Sequence, residues 1–145
     1  MSYWIFKADP NVYRLDDRLN DPEPANSWRV TRYKDEIQNG DIAFIWRTGR
    51  DRGIRAVMRI DSAPEESKEI ETEQKYHVER DTRLRYRVKG TLTHRFPCIS
   101  HRELRNMPGL ENLSVLSKRV YQSGTNFKVT DEEGKILLAL ANARS

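Results

Sequence analysis

Cysteine is almost missing from this sequence, and so are the motifs that announce most enzymes. The lone thiol, Cys98, excludes an intramolecular disulfide framework and makes a reducing compartment the expectation. No apolar run approaches the roughly eighteen residues of a membrane span, which excludes a transmembrane helix, and no membrane partner is expected. The stretch Met1-Ser2-Tyr3-Trp4-Ile5 does not follow the basic and then apolar pattern of a secretory leader, so the expected location is cytoplasmic. There is no glycine-rich phosphate loop, no G-x-S-x-G elbow and no H-E-x-x-H helix. Nothing at the level of motifs supports an enzyme, and neither enzymatic activity nor a cofactor is expected.

Large buriable groups and arginine are abundant. Three Trp, four Phe and six Tyr among 145 residues exclude a disordered chain, and that length suits one domain, residues 1–145, with a real core. The net charge is +4, and 18 of the 26 basic residues are Arg. Arginine forks onto phosphate and stacks on flat rings better than lysine does. The charge is also uneven. Residues 47–60 hold five arginines against Asp51, and residues 80–95 hold six basic residues against Asp81. Between them, residues 61–75 hold six acids against two lysines. Two readings follow: a nucleic-acid-facing surface, or a solvated face whose arginines pair with neighbouring acids.

Tyr3 to Lys7 reads as a strand, ended by Asp9-Pro10, and Val12, Leu15 and Leu19 predict a short helix capped by Asn11. Pro22 and Pro24 mark a loop before a short extended segment, Ser27 to Val30. Ile42 to Trp46 is a continuous apolar run and predicts a strand buried on both faces. After the Thr48–Gly53 loop, Ile54 to Ile60 is expected as its partner, with Ile54, Ala56, Met58 and Ile60 on one face. The acidic segment is expected as a mobile loop or a poorly anchored helix. Arg83 to Arg95 predicts a strand in which Leu84, Tyr86 and Val88 alternate with basic residues, with a bulge or bend at Gly90. Ser100 is a candidate cap for a short helix, and Leu113 to Leu116 predict another. Thr130-Asp131-Glu132-Glu133 is a capping box opening the last helix. The mixed order of five to six strands and three or four short helices argues for an α+β fold: a small bent sheet or open barrel, not a doubly wound sheet.

His94, Cys98 and His101 form the one cluster with metal-binding or nucleophilic residue types. Their spacing matches no zinc motif, and no metal is expected. Among the tryptophans, Trp4 reads as core. Trp46 fits either rim or core. Trp28, between a polar loop and Arg29, fits either a pocket wall for a flat ring or a core plug.

The block Ser27-Trp28-Arg29-Val30-Thr31-Arg32-Tyr33-Lys34-Asp35-Glu36-Ile37, followed by Gly40-Asp41, Ile45-Trp46, Gly49 and Gly53-Ile54-Arg55-Ala56, resembles an EVE domain. Tyr3-Trp4-Ile5-Phe6 with Asp9-Pro10, and Gly124-Thr125-Asn126-Phe127, resemble the same family at the two ends. The resemblance implies a PUA-like fold related to YTH domains: a bent mixed sheet or open barrel flanked by short helices. It implies a reader of a modified base, a modified cytosine or methylated adenine in DNA or RNA, flipped into an aromatic cage. It also implies a link to modification-dependent restriction, with a fused or associated nuclease as effector. By motif position Trp28 would be one cage wall, Asp9 would meet the base edge, and Tyr76 is the candidate second wall. Arg29, Trp46, Thr125 and Asn126 complete the expected base site. Arg32, Arg50, Arg52, Arg83, Arg85, Gln122 and Ser123 are the expected phosphate ligands. Three other readings stay open: an RNA-binding module indifferent to modification, an activity at Cys98, His94 and His101, and a binder of free nucleosides.

Overall fold

A computed structural model describes residues 1–116 and 125–144. The elements in order are β1 (Tyr3–Ala8), α1 (Leu15–Asn20), β2 (Ala25–Arg29), β3 (Ile42–Arg47), β4 (Gly53–Ile60), β5 (Glu65–Ser67), α2 (Glu71–Gln74), β6 (Arg85–Ser100), α3 (His101–Arg105), a 3-10 turn (Ser114–Leu116), β7 (Asn126–Val129) and α4 (Asp131–Arg144). The sheet runs β2-β6-β4-β3-β1-β7, with β5 on the leading end of β6. Of these pairings β1–β3 is parallel and the rest antiparallel. The fold is the expected α+β arrangement, a bent, unclosed sheet with short helices around it. β5, a three-residue strand inside the acidic segment, brings the strands among the described residues to seven.

Both faces of the sheet are buried. Tyr3, Ile5, Phe44, Trp46, Ile54 and Val57 point to one core, under α3 and α4. Trp4, Phe6, Ala43, Ile45, Ala56 and Met58 point to the other, with Trp28 and Leu15. This fits the continuous apolar run of β3. The alternation expected along β4 breaks at its start. Ile45 faces Ala56 but Trp46 faces Ile54, so Arg55 is an extra residue that sends Ile54 to the opposite core. The guanidinium of Arg55 then reaches Asp16 at 2.9 Å.

The bend in β6 does not fall at Gly90, which stays in register between Asn26 and Ile60. A Cβ there would collide with Met58, so this glycine serves close packing. The register slips instead near Thr93 and across residues 96–98, where Pro97 sits. The predicted helix from Asn11 also starts later. The Asp9 carboxylate accepts the Asn11 N–H at 2.9 Å and the Asp9 carbonyl accepts from Val12 and Tyr13, so a turn occupies that stretch. Tyr13 then bridges His77.

The acidic segment is anchored, contrary to expectation. Arg18 and Glu73, both buried, pair at 2.9 Å, and the same guanidinium donates to the carbonyls of Glu23 and Ala25. α2, which carries Glu73, is thereby tied to α1. Leu84 and Tyr86 are exposed, whereas Arg87 is buried, the reverse of the alternation expected there. The reason is ionic: Arg87 turns inward to Asp81 and Glu69.

The short-range signals form as expected. Ser100 accepts the Glu103 N–H at 3.1 Å. Thr130 and Glu133 exchange side-chain and backbone hydrogen bonds at 3.0 and 3.1 Å, opening α4 as a capping box. Among the described residues no helix is long and apolar enough to cross a membrane.

Candidate functional site

A cleft of about 860 Å3 opens where the C-terminal end of β1 meets β2 and the start of β6. Three segments wall it: Lys7 to Tyr13, Ser27 to Arg29, and the stretch from His77 to Arg87, with Thr125 alongside. Its buried lining consists of Ala8, Ser27, Trp28, Glu69 and Arg87, and its exposed rim includes Asp9, Val12, Arg29, Glu79, Arg80 and Arg83.

Trp28 is held by β2 pairing with β6, opposite Val88. Its indole is only 7% exposed and packs with the second core, yet it lines the cleft. Trp28 therefore belongs both to the second core and to the wall of the cleft. Its Nε1–H is buried with no acceptor among the described residues. Such a donor costs about 1–3 kcal/mol until something accepts from it. Tyr13 meets the indole edge-on, with ring centroids 5.6 Å apart, and His77 meets Tyr13 at 5.2 Å. Trp28, Tyr13 and His77 thus form an aromatic corner, not a pair of parallel plates.

Beneath it lies an ionic network. Glu69 accepts from Ser27 Oγ, from His77 Nε2 at 2.8 Å and from the Ile70 N–H at 2.9 Å, with Arg87 at 3.5 Å. Burial alone would raise the Glu69 carboxyl, but these donors and the Arg87 charge hold it below the usual carboxylate range. Asp81 is lowered likewise: Arg87, at 2.6 Å, the Arg83 N–H and Arg85 outweigh its burial. Burial and the Glu73 carboxylate push the Tyr13 phenol up, so it stays protonated.

The cations of the rim differ in their partners. Arg80 is engaged by Glu71, and Arg85 by Asp81 at 2.9 Å. Among the described residues Arg29 and Arg83 have no carboxylate partner within 4 Å. Partial burial and the charges of Arg85, Arg87 and Arg83 lower the Arg29 guanidinium below its ordinary value, with only Asp81 opposing. Basic side chains outnumber acids in the lining: Lys7, Arg29, Arg80, Arg83, Arg85 and Arg87 against Asp9, Glu69, Glu79 and Asp81.

Of the expected site residues, the cleft gathers Asp9, Trp28, Arg29, Arg83, Arg85 and Thr125. Asn126 is fully buried beside it and serves closure: its Oδ1 accepts the Thr31 N–H at 2.8 Å and its Nδ2 donates to the Arg29 carbonyl. Tyr76 and Trp46 do not line the cleft. The Tyr76 hydroxyl donates to Asp21 at 2.6 Å, a bond that pushes its phenol up to about 12. Trp46 is buried in the other core, edge-on to His101. Arg32 lies over the Tyr33 ring, Arg50 lies on the β3–β4 loop, and Arg52 lines a separate depression. Gln122 and Ser123 lie outside the described residues.

Tyr13, Ser27, Glu69, His77 and Asp81 join the site without any expectation from the sequence. Tyr13, Ser27 and His77 enter by contacts with distant residues and Glu69 from the acidic run, while Asp81 reads as the lone acid of a basic stretch. His94, Cys98 and His101 are engaged apart from one another: His94 with Asn142, Cys98 with the Asp51 carbonyl, and His101 with Trp46. Among the described residues no three metal-ligating side chains come together.

A family model of the EVE domain matches residues 2–140. A comparison with curated proteins finds no match. Among solved structures, a protein from Pseudomonas syringae is 19% identical, with a TM-score of 0.65, over 97% of this chain and 99% of that one. A hypothetical protein from Leishmania major is 13% identical, with a TM-score of 0.69, over 99% of this chain and 96% of that one. Human THYN1, solved in complex with DNA containing 5-methylcytosine, is 18% identical, with a TM-score of 0.64, over 97% of this chain and 98% of that one.

Proposed function

The chain belongs to the EVE domain family, and we propose that it acts, as one unit over residues 1–145, as a non-enzymatic reader of a modified base in nucleic acid. The observation that carries this reading is the cleft itself. Its buried end offers an aromatic corner built on Trp28 and Tyr13, and its rim offers Arg29 and Arg83, which have no carboxylate partner among the described residues. A base brings a flat ring and edge acceptors, and its strand brings phosphates. Both needs are met by one ligand.

In this reading Arg29 and Arg83, with Arg85 beside them, take phosphates and give affinity that is independent of sequence and weakened by salt. Arg32, Arg50 and Arg52 extend that field from neighbouring loops. The target base leaves its stack at a cost of a few kcal/mol. Contact with Trp28 and Tyr13 offsets that cost. Asp9 on the rim suits an edge rich in donors, such as the exocyclic amine of cytosine. Since human THYN1 was solved with 5-methylcytosine DNA, that base is the first to test. One methyl group is worth about 1–3 kcal/mol in an apolar pocket, so a fused or associated effector, such as a restriction nuclease, would supply the consequence of binding.

The experiment is competition between plain and modified oligonucleotides, as DNA and as RNA, for the purified protein. Preference for one modified base supports the reading. Equal binding of modified and plain strands would instead favour an RNA-binding module, and equal competition by free nucleoside a small-molecule binder.

A further inference from the structure

A second group of unpaired arginines lies where the β3–β4 loop meets α3. The His101 N–H donates to the Arg52 carbonyl at 3.0 Å, and Gly53 pairs with Ser100, so the loop end and the helix start are locked together. A Cβ at Gly53 would run into the Ile99 carbonyl and the Cys98 sulfur; only glycine permits this approach. The lock puts Arg52, Arg102 and Arg105 around one depression of about 500 Å3.

Eight of the described arginines, Arg18, Arg47, Arg55, Arg59, Arg80, Arg85, Arg87 and Arg144, each have a carboxylate within 4 Å. At this corner, among the described residues, Arg52, Arg102 and Arg105 have none. Glu103, the acid between two of them, is taken by Arg144, and Asp51 is the one acid on the depression. The imidazole of His101 registers the excess charge. Burial, and then Arg52 and Arg105, lower it below its ordinary value, so it does not add a further proton at neutral pH. Among the described residues, the lining of this depression thus holds three guanidinium groups against one carboxylate, all exposed.

The loop that leads to the corner is also tied to the rim of the cleft. The Thr48 N–H donates to the Ala8 carbonyl at 3.0 Å, and Gly49 lies against Pro10. Ala8 and Asp9 line the cleft, so the loop that carries Arg52 begins at its rim. A ligand reaching both places must be extended and must carry repeated negative charge. We propose that Arg52, Arg102 and Arg105 form a phosphodiester-binding subsite that holds the strand flanking the base in the cleft. The proposal rests on the reading of the cleft as a nucleic-acid site, and its test separates the two.

The test uses the full chain with Arg52→Ala, Arg102→Ala and Arg105→Ala combined. All three side chains are exposed, so folding is kept, as circular dichroism will check. Binding of a plain duplex of about 20 base pairs, roughly two helical turns, is measured over a range of salt concentrations. The same duplex carrying 5-methylcytosine is measured beside it. Every phosphate that the protein ceases to neutralise flattens the slope of log affinity against log salt by about 0.9, so the triple variant is expected to be shallower by about 1–3. Its affinity for plain and modified duplex is expected to fall by the same factor. An unchanged slope overturns the proposal, as does parent protein that binds neither duplex. Polyglutamate competing as well as duplex of equal charge would also overturn it, in favour of an acidic protein partner. A flattened slope together with no preference for the modified base leaves the corner standing and removes the cleft reading.

Discussion

The side chain of Asn126 reaches across to Thr31, accepting its backbone N–H at 2.8 Å while donating to the Arg29 carbonyl at 3.3 Å. β7 and β2 are the two free edges of the sheet, so one buried amide closes the gap that backbone pairing leaves open. Thr125 joins the closure by donating its N–H to Thr31 Oγ1 at 3.1 Å. The same bonds position Arg29 and Thr125 beside the cleft.

Asn126→Ala removes both bonds and leaves the Thr31 N–H without its partner. The expected loss is about 1–3 kcal/mol of folding stability, read from urea denaturation. Binding of plain oligonucleotide should weaken as well, since Arg29 loses its anchor. Unchanged stability would mean that the closure contributes nothing.

Arg83 precedes β6 and Arg87 is its third residue, and the two should behave differently. Arg87 is 4% exposed and answers two carboxylates, Asp81 and Glu69. Arg87→Ala takes one partner from each carboxylate, which keep their other donors, and should cost about 1–3 kcal/mol. Arg83 is exposed and has no carboxylate partner among the described residues. Arg83→Ala should leave the melting temperature within about a degree while weakening binding to every sequence alike, with a salt slope shallower by about 0.9. Thermal melts and salt titrations of the two variants separate the roles.

Acid stability follows from Glu69 and Asp81. Each is held below its ordinary value, 4.5 for the glutamate and 3.8 for the aspartate. A carboxyl depressed in the fold contributes stability that is present above its unfolded value. That contribution is lost as the pH falls through the ordinary value toward the lower folded one. The melting temperature should therefore drop on the acid side of about pH 4.5. In Glu69→Gln the starting stability is lower and the acid decline is shallower. Equal slopes for the parent and the variant would remove Glu69 from the account.

Much of the fold is written in short-range patterns. The apolar run Ile42 to Trp46, the Ser100 cap and the Thr130–Glu133 box need only neighbours within a turn or a strand, and each forms. Patterns that depend on distant partners mislead. A single extra residue at Arg55 sends Ile54 to the other core, and alternation carries no mark of a bulge. Arg87 reads as a solvent-facing member of a basic row because strand alternation carries no mark of the turn that brings Asp81 back to it or of the packing that brings Glu69. The anchoring of the acidic segment by Arg18 is equally invisible, since a lone arginine in a polar helix has the same pattern whether buried or not. For the site, the family motif brings Trp28, Asp9 and Thr125 to the cleft. Tyr76 and Trp46 are aromatic residues near the right place in sequence, but hydrogen bonding to Asp21 and burial under α3 take them elsewhere. Tyr13 and His77 supply the ring contacts instead, through a bridge between segments 64 residues apart.

The central claim is that the Trp28 cleft distinguishes a modified base. The most direct measurement is the ratio of affinities for 5-methylcytosine and plain duplexes in the parent, Trp28→Ala and Trp28→Phe, with folding of each checked by circular dichroism. The account predicts a preference of about 10–200-fold in the parent, kept in part by the phenyl ring and collapsing toward one in Trp28→Ala, while salt-dependent binding of plain duplex persists. A Trp28→Ala variant that is folded and keeps the parent's ratio, losing plain and modified binding equally or not at all, would contradict it.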